Sequence, residues 1–418
     1  MKILWVKPGK LLPLDSGGQL RTYNILRQLA ARHDVTFLSY YGGRSRDHAY
    51  ESEIVKHVPG TVALHTASHD ITAEDQRLDY VRRFFSAAPY AVSKFTVPEA
   101  QSLLHDWIPQ RRFDVAVCDF LCTVLNFPQD LATPTALFQH NVESVLWHRK
   151  AQHEVGWLHR LVSKIEYAKM ARFEPRQVRR FHHVIAVSQQ DRAAMSAMVS
   201  PDRISVVPTG VDLASYTCRP NSPQPGLLVV FTGSMDWEPN IDGVEYFCQT
   251  VWPRVLASLP EARFRIVGRA PHERVRALAC KSVEVTGRVP SIVEHLQQAA
   301  VVVVPLRIGG GTRIKIYEGM AMGKATVSTT VGAEGLDVQP GRDIILADDP
   351  AAFADAVCTL LRDVATRKRY ETAAAATARK YDWSTVTQRF VEALQKTIDA
   401  ASGLRAPSPQ TEPVSLNA

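Results

Sequence analysis

Short apolar runs that do not alternate with polar residues recur along this chain, each followed by a stretch with helical spacing. In the first half they are KILWV (2–6), DVTFLSY (34–40), DVAVCDF (114–120), PTALFQH (134–140) and HVIAVS (183–188). In the second half they are LLVVFTG (227–233), RFRIVG (263–268), VEVTG (283–287), VVVVPL (301–306), KATVST (324–329) and DIILAD (343–348). A strand covered by helices on both faces reads as a continuous apolar run, because neither face meets water. Helical partners are expected over 18–32, 160–181, 241–258, 291–299, 313–322, 351–364 and 366–380. Strand and helix in turn predict an α/β protein built on doubly wound parallel sheets.

The pattern breaks once, at VVPTGVDLASYTCRPNSPQPG (206–226), which is rich in proline and glycine and poor in charge, as an interdomain linker is. A length of 418 residues suits two cores rather than one. The expected organisation is a Rossmann-like domain over 1–205, a second over 206–382, and a cleft between them. The end, SGLRAPSPQTEPVSLNA, has no core pattern, so 402–418 is expected to be a disordered tail.

Composition narrows the class. Hydrophobic content of 45% and charged content of 22% suit a soluble globular protein. MKILWVKPGK is too short in apolar residues for a signal peptide, and no apolar run is long enough to span a bilayer. Six cysteines at 118, 122, 218, 248, 280 and 358 form no paired framework, so buried, reduced thiols and a cytoplasmic protein are expected. The net charge is +7, and much of it lies between Arg149 and His183. Such a basic stretch can be a plain solvated face; where it has a partner, Trp147, Trp157, Leu158 and Leu161 interleaved with the cations favour an anionic membrane surface over nucleic acid.

Two glycine turns carry the candidate chemistry. In VVVVPLRIGGGTRIKIYEGMAMGK (301–324) a strand runs into Gly309, Gly310 and Gly311, then Thr312, Arg313, Lys315 and Glu318 at the start of a helix. Bare amides, a helix N-terminus and two cations make a seat for a diphosphate. Glu318 lies deeper and suits a ribose diol. In DSGGQLRTYNILRQLA (15–30), Gly17 and Gly18 again put amides at a strand-to-helix turn. That turn is not GxGxxG, so a nicotinamide cofactor is disfavoured. No Asp-x-Asp triplet occurs, and no metal or other cofactor is expected.

These motifs, with FQHNVES, AVSQQD, VVPTGVD, GRVPSIVEHLQQAAVVVVPL and YEGMAMGKATVS, resemble those of the retaining GT-B glycosyltransferases of family 4, also called group 1. The resemblance implies two Rossmann-like domains facing across a cleft. YDWSTVTQRF is similar to the family's closing segment, so the helix at 383–401 is expected to cross back to the first domain. It implies metal-independent transfer of a sugar from a nucleotide-diphosphate sugar to a glycan or lipid-linked acceptor, with retention, in cell-surface polysaccharide or glycolipid synthesis. From the lack of a signal peptide and the basic stretch, the expected place is the cytoplasm, peripherally on the inner face of the plasma membrane.

Residue by residue, Glu318 matches the second glutamate of the family's pair, and Gly310 stands where the first would be. In GSMDWEPN (233–240), after Gly233, Ser234 and Asn240 stand near the places where relatives carry an arginine and a lysine for the pyrophosphate. Arg313 and Lys315 are expected to compensate. His140 matches the family histidine near the reaction centre; because it ends an apolar run, a satisfied core histidine is the alternative. Two rival functions fit the same shape: a nucleotide-sugar 2-epimerase, with only His140 and Glu143 to serve it, and a nucleotide-sugar-binding protein without turnover.

Overall fold

The computed structural model describes residues 1–66, 73–110, 112–153, 156–217, 226–308 and 313–403. Gly309, Gly310, Gly311 and Thr312 of the turn after the 301–306 strand, the middle of the proline-rich linker and nearly all of the expected tail lie outside the described residues. The chain divides into two units: Met1–Val207 together with the chain from Thr387 onward, and Pro208–Val386.

The first unit holds a seven-stranded sheet. Its strands are β1 (Lys2–Pro8), β2 (Asp34–Tyr41), β3 (Thr61–His65), β4 (Val115–Asp119), β5 (Thr135–Phe138), β6 (His183–Ala186) and β7 (Ile204–Val206). They lie in the order β3-β2-β1-β4-β5-β6-β7, every pair parallel. In β1, Ile3 through Val6 are wholly buried, as a strand covered on both faces must be. The sequence pattern missed β3 and β7, because TVALH is only partly buried and ISV has three residues.

Strand β1 sits between β2 and β4, so the order reverses there. Right-handed crossovers then leave β1 and β4 towards opposite faces, and a crevice opens at their carboxyl ends. The helix Trp383–Gly403 supplies Phe390 to this unit, stacked on Trp5 at 5.1 Å and edge-on to Phe138 at 5.1 Å between ring centroids. Phe390 is buried, and losing such a ring costs about 3–5 kcal/mol.

The second unit holds β8 (Leu228–Thr232), β9 (Arg263–Val267), β10 (Val283–Val285), β11 (Val301–Val304), β12 (Ala325–Ser328) and β13 (Ile345–Leu346). The order is β10-β9-β8-β11-β12-β13, again parallel throughout, with the reversal between β8 and β11. The single helix expected over 241–258 is instead Glu238–Tyr246, a π-helical turn Phe247–Val251, and Trp252–Ser258. Pro253 lacks the N–H that would continue the ladder into that turn.

Among the described cysteines Cys118 and Cys358 are buried, but Cys280 is exposed, which corrects the expectation that the thiols are all buried. No helix among the described residues is long and apolar enough to cross a membrane.

Candidate active site

Each unit places polar groups at the reversal point of its own sheet. In the second unit the loop after β8 carries Gly233 and Ser234, Asn240 stands in the first turn of the helix Glu238–Tyr246, and the helix Ile314–Ala321 follows β11. Lys315 Nζ donates to Asn240 Oδ1 at 2.8 Å and lies 4.2 Å from the centre of the Phe231 ring. Asn240 Nδ2 in turn donates to the Ser234 carbonyl at 2.8 Å. A Cβ added at Gly233 would fall 2.8 Å from both Lys315 Nζ and Asn240 Nδ2, so the ammonium needs a glycine there. Burial pushes the Lys315 ammonium down to about 7; Glu318 opposes that shift and Arg313 adds to it. Arg313 is buried at the N-cap of the same helix.

Glu318 is half-buried, and its Oε1 accepts a hydrogen bond from the Tyr216 hydroxyl at 2.7 Å. Burial raises its pKa, against the pull of Tyr216 and Lys315. Lys315 and Glu318 therefore do not form the surface pair that their spacing allows; each has another partner.

Sequence reasoning missed two residues here. Arg269 Nε donates to Ser234 Oγ at 3.0 Å, bringing a further cation to the β8 loop. It gets there because Gly268 passes so close to the Gly233 carbonyl that an added Cβ would stand 1.6 Å from its oxygen, and because Ala270 adopts φ 50°. The signal was legible in RFRIVGR: strand, glycine, cation. Tyr216, in the stretch after the first unit, left no signal of its own.

In the first unit, Ser16 caps the helix Gly17–Ala30, with Gln19 completing the capping box. Gly18 abuts Phe120, whose ring an added Cβ would meet at 2.7 Å. Phe120 holds φ 70° and stacks on His140 with centroids 3.8 Å apart. His140 Nδ1 lies 2.8 Å from Arg21 Nη1 and Nε2 lies 2.7 Å from Asp119 Oδ1. A guanidinium only donates, so Nδ1 accepts and Nε2 carries the hydrogen that Asp119 receives. Burial drives the His140 pKa down to about 4, against the pull of Asp119, leaving a neutral ring. The structure brings His140 beside Gly18, with both ring nitrogens engaged.

Asp119 is the hub of that network. It also accepts from Thr22 Oγ1 at 2.7 Å and Trp5 Nε1 at 3.0 Å, with Lys7 at 3.8 Å. Burial alone would raise its pKa, but Lys7 and His140 outweigh it and hold the carboxyl at about 2. Three residues beyond His140, burial and then Glu174 push Glu143 up to about 7. Glu174 itself accepts from the backbone N–H groups of Glu143 and Ser144, at 2.8 and 2.9 Å, and fixes this segment.

An open pocket of about 640 Å³ lies beside the β1 end, lined by Lys7, Lys10, Ser16, Gln19 and Tyr41 among others. On the helix Trp157–Arg180 of the same unit, Trp157 is 79% exposed, and Leu158 and Leu161 are exposed beside Arg160 and Lys164. Among the described residues no group of three or more His, Cys, Asp or Glu is placed to hold a metal ion.

Residues 16–215 match the model of Glycosyltransferase Family 4, and residues 226–363 match that of Glycosyl transferases group 1. A phosphatidyl-myo-inositol mannosyltransferase of Mycobacterium leprae is 29% identical over 234 residues, which is 54% of this chain and 62% of that protein. The chain therefore spans under two thirds of the length of that relative. Sucrose-phosphate synthase from Thermosynechococcus elongatus superposes with a TM-score of 0.66 at 15% identity, covering 96% of this chain and all (100%) of that one. Anabaena HepE in complex with UDP and glucose gives 0.63 at 16% identity, covering 94% and 99%. At such identities these two likenesses speak for the fold.

Proposed function

This chain belongs to the family 4, group 1 glycosyltransferases, and from that premise we propose that it transfers a hexose from a nucleotide-diphosphate sugar to a lipid-linked or glycan acceptor. The observation that carries the reading is the order of charges at the β8/β11 reversal: Arg269, Arg313 and Lys315 near the loops, then Glu318 one helical turn deeper. A diphosphate on the cations would present its ribose to the carboxylate. A name such as phosphatidyl-myo-inositol mannosyltransferase favours a mannosyl donor and a lipid acceptor.

As the sugar–phosphate bond breaks, charge grows on the departing phosphate, and fixed cations stabilise that charge more than they stabilise the bound donor. Front-face attack by the acceptor hydroxyl gives retention, and its proton passes to the departing phosphate oxygen. His140, neutral and held at both nitrogens, serves as a fixed wall of the acceptor side rather than as a base. The pocket lined by Lys7, Ser16, Gln19 and Tyr41 would take the acceptor, and Trp157, Leu158 and Leu161 would rest on an anionic membrane from the cytoplasmic side. Metal independence belongs to the proposal, because protein cations take the charge.

The test is incubation with radiolabelled nucleotide sugars, GDP-mannose included, and a bacterial lipid extract, with and without EDTA. Labelled lipid or glycan with a retained anomeric centre, formed in EDTA, supports the reading. Epimerised donor without transfer, or no turnover of any donor, overturns it.

A further inference from the structure

The contact that the proposed chemistry leaves unexplained is the one between Tyr216 and Glu318. Tyr216 lies outside both glycine turns, 102 positions away from Glu318 in sequence, yet its hydroxyl reaches Oε1 at 2.7 Å. Oε2 has no hydrogen-bond partner among the described residues. A half-buried carboxylate with one oxygen tied and one open is arranged to receive a donor from outside.

The segment that delivers Tyr216 is held at several points. Asp212 Oδ1 accepts from the N–H groups of Ala214 and Ser215, at 3.1 and 3.2 Å, and the Tyr216 N–H donates to the Asp212 carbonyl at 2.9 Å. Just before it, Val211 N–H donates to the Tyr381 carbonyl at 2.8 Å, and Trp383 N–H donates to the Val211 carbonyl at 3.2 Å. A Cβ at Gly210 would stand 2.6 Å from the Trp383 ring. Tyr381 stacks on Tyr317, the neighbour of Glu318, with centroids 4.5 Å apart. The phenol is therefore anchored to the same helix whose carboxylate it meets.

We propose that Tyr216 is a positioning residue for Glu318, holding one carboxylate oxygen in place so that the other meets the ribose diol of a nucleoside diphosphate. The inference rests on the reading of Glu318 as the ribose carboxylate. The groups around Glu318 are Tyr216 from this segment and Lys315 from its own helix, with Asp212 behind the first and Arg313 behind the second. Burial disfavours the Glu318 carboxylate, while the Tyr216 hydrogen bond and Lys315 favour it. Removing the phenol hydroxyl must then let Glu318 take up a proton at higher pH.

The experiment is calorimetric titration of the full-length wild type, Tyr216→Phe, Glu318→Ala and the double variant with GDP and with UDP, from pH 5 to 8. The 2′,3′-dideoxy nucleotides are run in parallel. The inference expects Tyr216→Phe to weaken binding roughly tenfold at neutral pH and to move the acid-side loss of affinity to higher pH. Both effects should vanish in the Glu318→Ala background and with the dideoxy nucleotides. Wild-type affinity and pH profile in Tyr216→Phe, with Glu318→Ala weak, overturns the role of Tyr216 alone. Unchanged affinity in Glu318→Ala overturns the ribose reading and this inference with it.

Discussion

The Lys315 ammonium is held between Asn240 Oδ1, at 2.8 Å, and the face of Phe231, at 4.2 Å, with no carboxylate as a hydrogen-bond partner among the described residues. That setting keeps its pKa at about 7. A diphosphate placed against it must raise that value. Binding should therefore draw in a proton, and affinity should be full below pH 7 and fall by up to about tenfold per unit as pH rises above it. Calorimetry at pH 8 in two buffers of different ionisation enthalpy measures the uptake. A result of zero protons removes Lys315 from the phosphate seat.

Gly233→Ala tests the same spot sterically. The new methyl meets Lys315 Nζ and Asn240 Nδ2, each at 2.8 Å, and the lysine end is the flexible one. Nucleoside diphosphate affinity should fall by tenfold or more, while stability changes by about 1–2 kcal/mol. Equal losses of folding and binding in a melting assay with and without nucleotide would mean that Gly233 serves the fold alone.

Glu143 should make the first unit less stable as pH rises. Its pKa is held at about 7, above the ordinary 4.5, so the folded chain binds the extra proton between those values. Stability falls across that window, and the deficit is complete above pH 7. Glu143→Gln should be the more stable protein at pH 8 by on the order of 1–3 kcal/mol, and equal to wild type at pH 4. Urea unfolding at the two pH values decides it; a constant gap contradicts the assignment.

The strands with unbroken apolar runs, such as VVVV at 301–304, were legible because burial on both faces leaves no other pattern. Gly18 was singled out by its place after β1 and His140 by the family motif after β5, but that the two abut through Phe120 was not legible, because β4 lies between those strands in the sheet. Tyr216 was not legible, because its meeting with Glu318 depends on the Val211–Asp382 bridge, and a single backbone bridge leaves no periodicity. Nor was the state of His140: its tautomer is set by Arg21 and Asp119, which lie 119 and 21 positions away from it in sequence.

Membrane attachment should depend on the exposed apolar residues of the helix Trp157–Arg180 as well as on its cations. Each cation near an anionic surface contributes about 1 kcal/mol, screened by salt. Trp157→Ser with Leu161→Ser should lower sedimentation with anionic vesicles severalfold and leave nucleotide binding unchanged. Equal sedimentation of wild type with neutral and anionic vesicles contradicts the proposed surface.

The account turns on whether the cations after β11 serve a leaving phosphate, and Arg313 is buried at the N-cap where that charge would grow. Single-turnover kinetics of Arg313→Ala at saturating donor tests this most directly. The account predicts a barrier raised by roughly 2–4 kcal/mol, with donor affinity reduced much less and Arg313→Lys recovering only part of the rate. A wild-type rate in Arg313→Ala under those conditions would place the phosphate elsewhere and contradict the account.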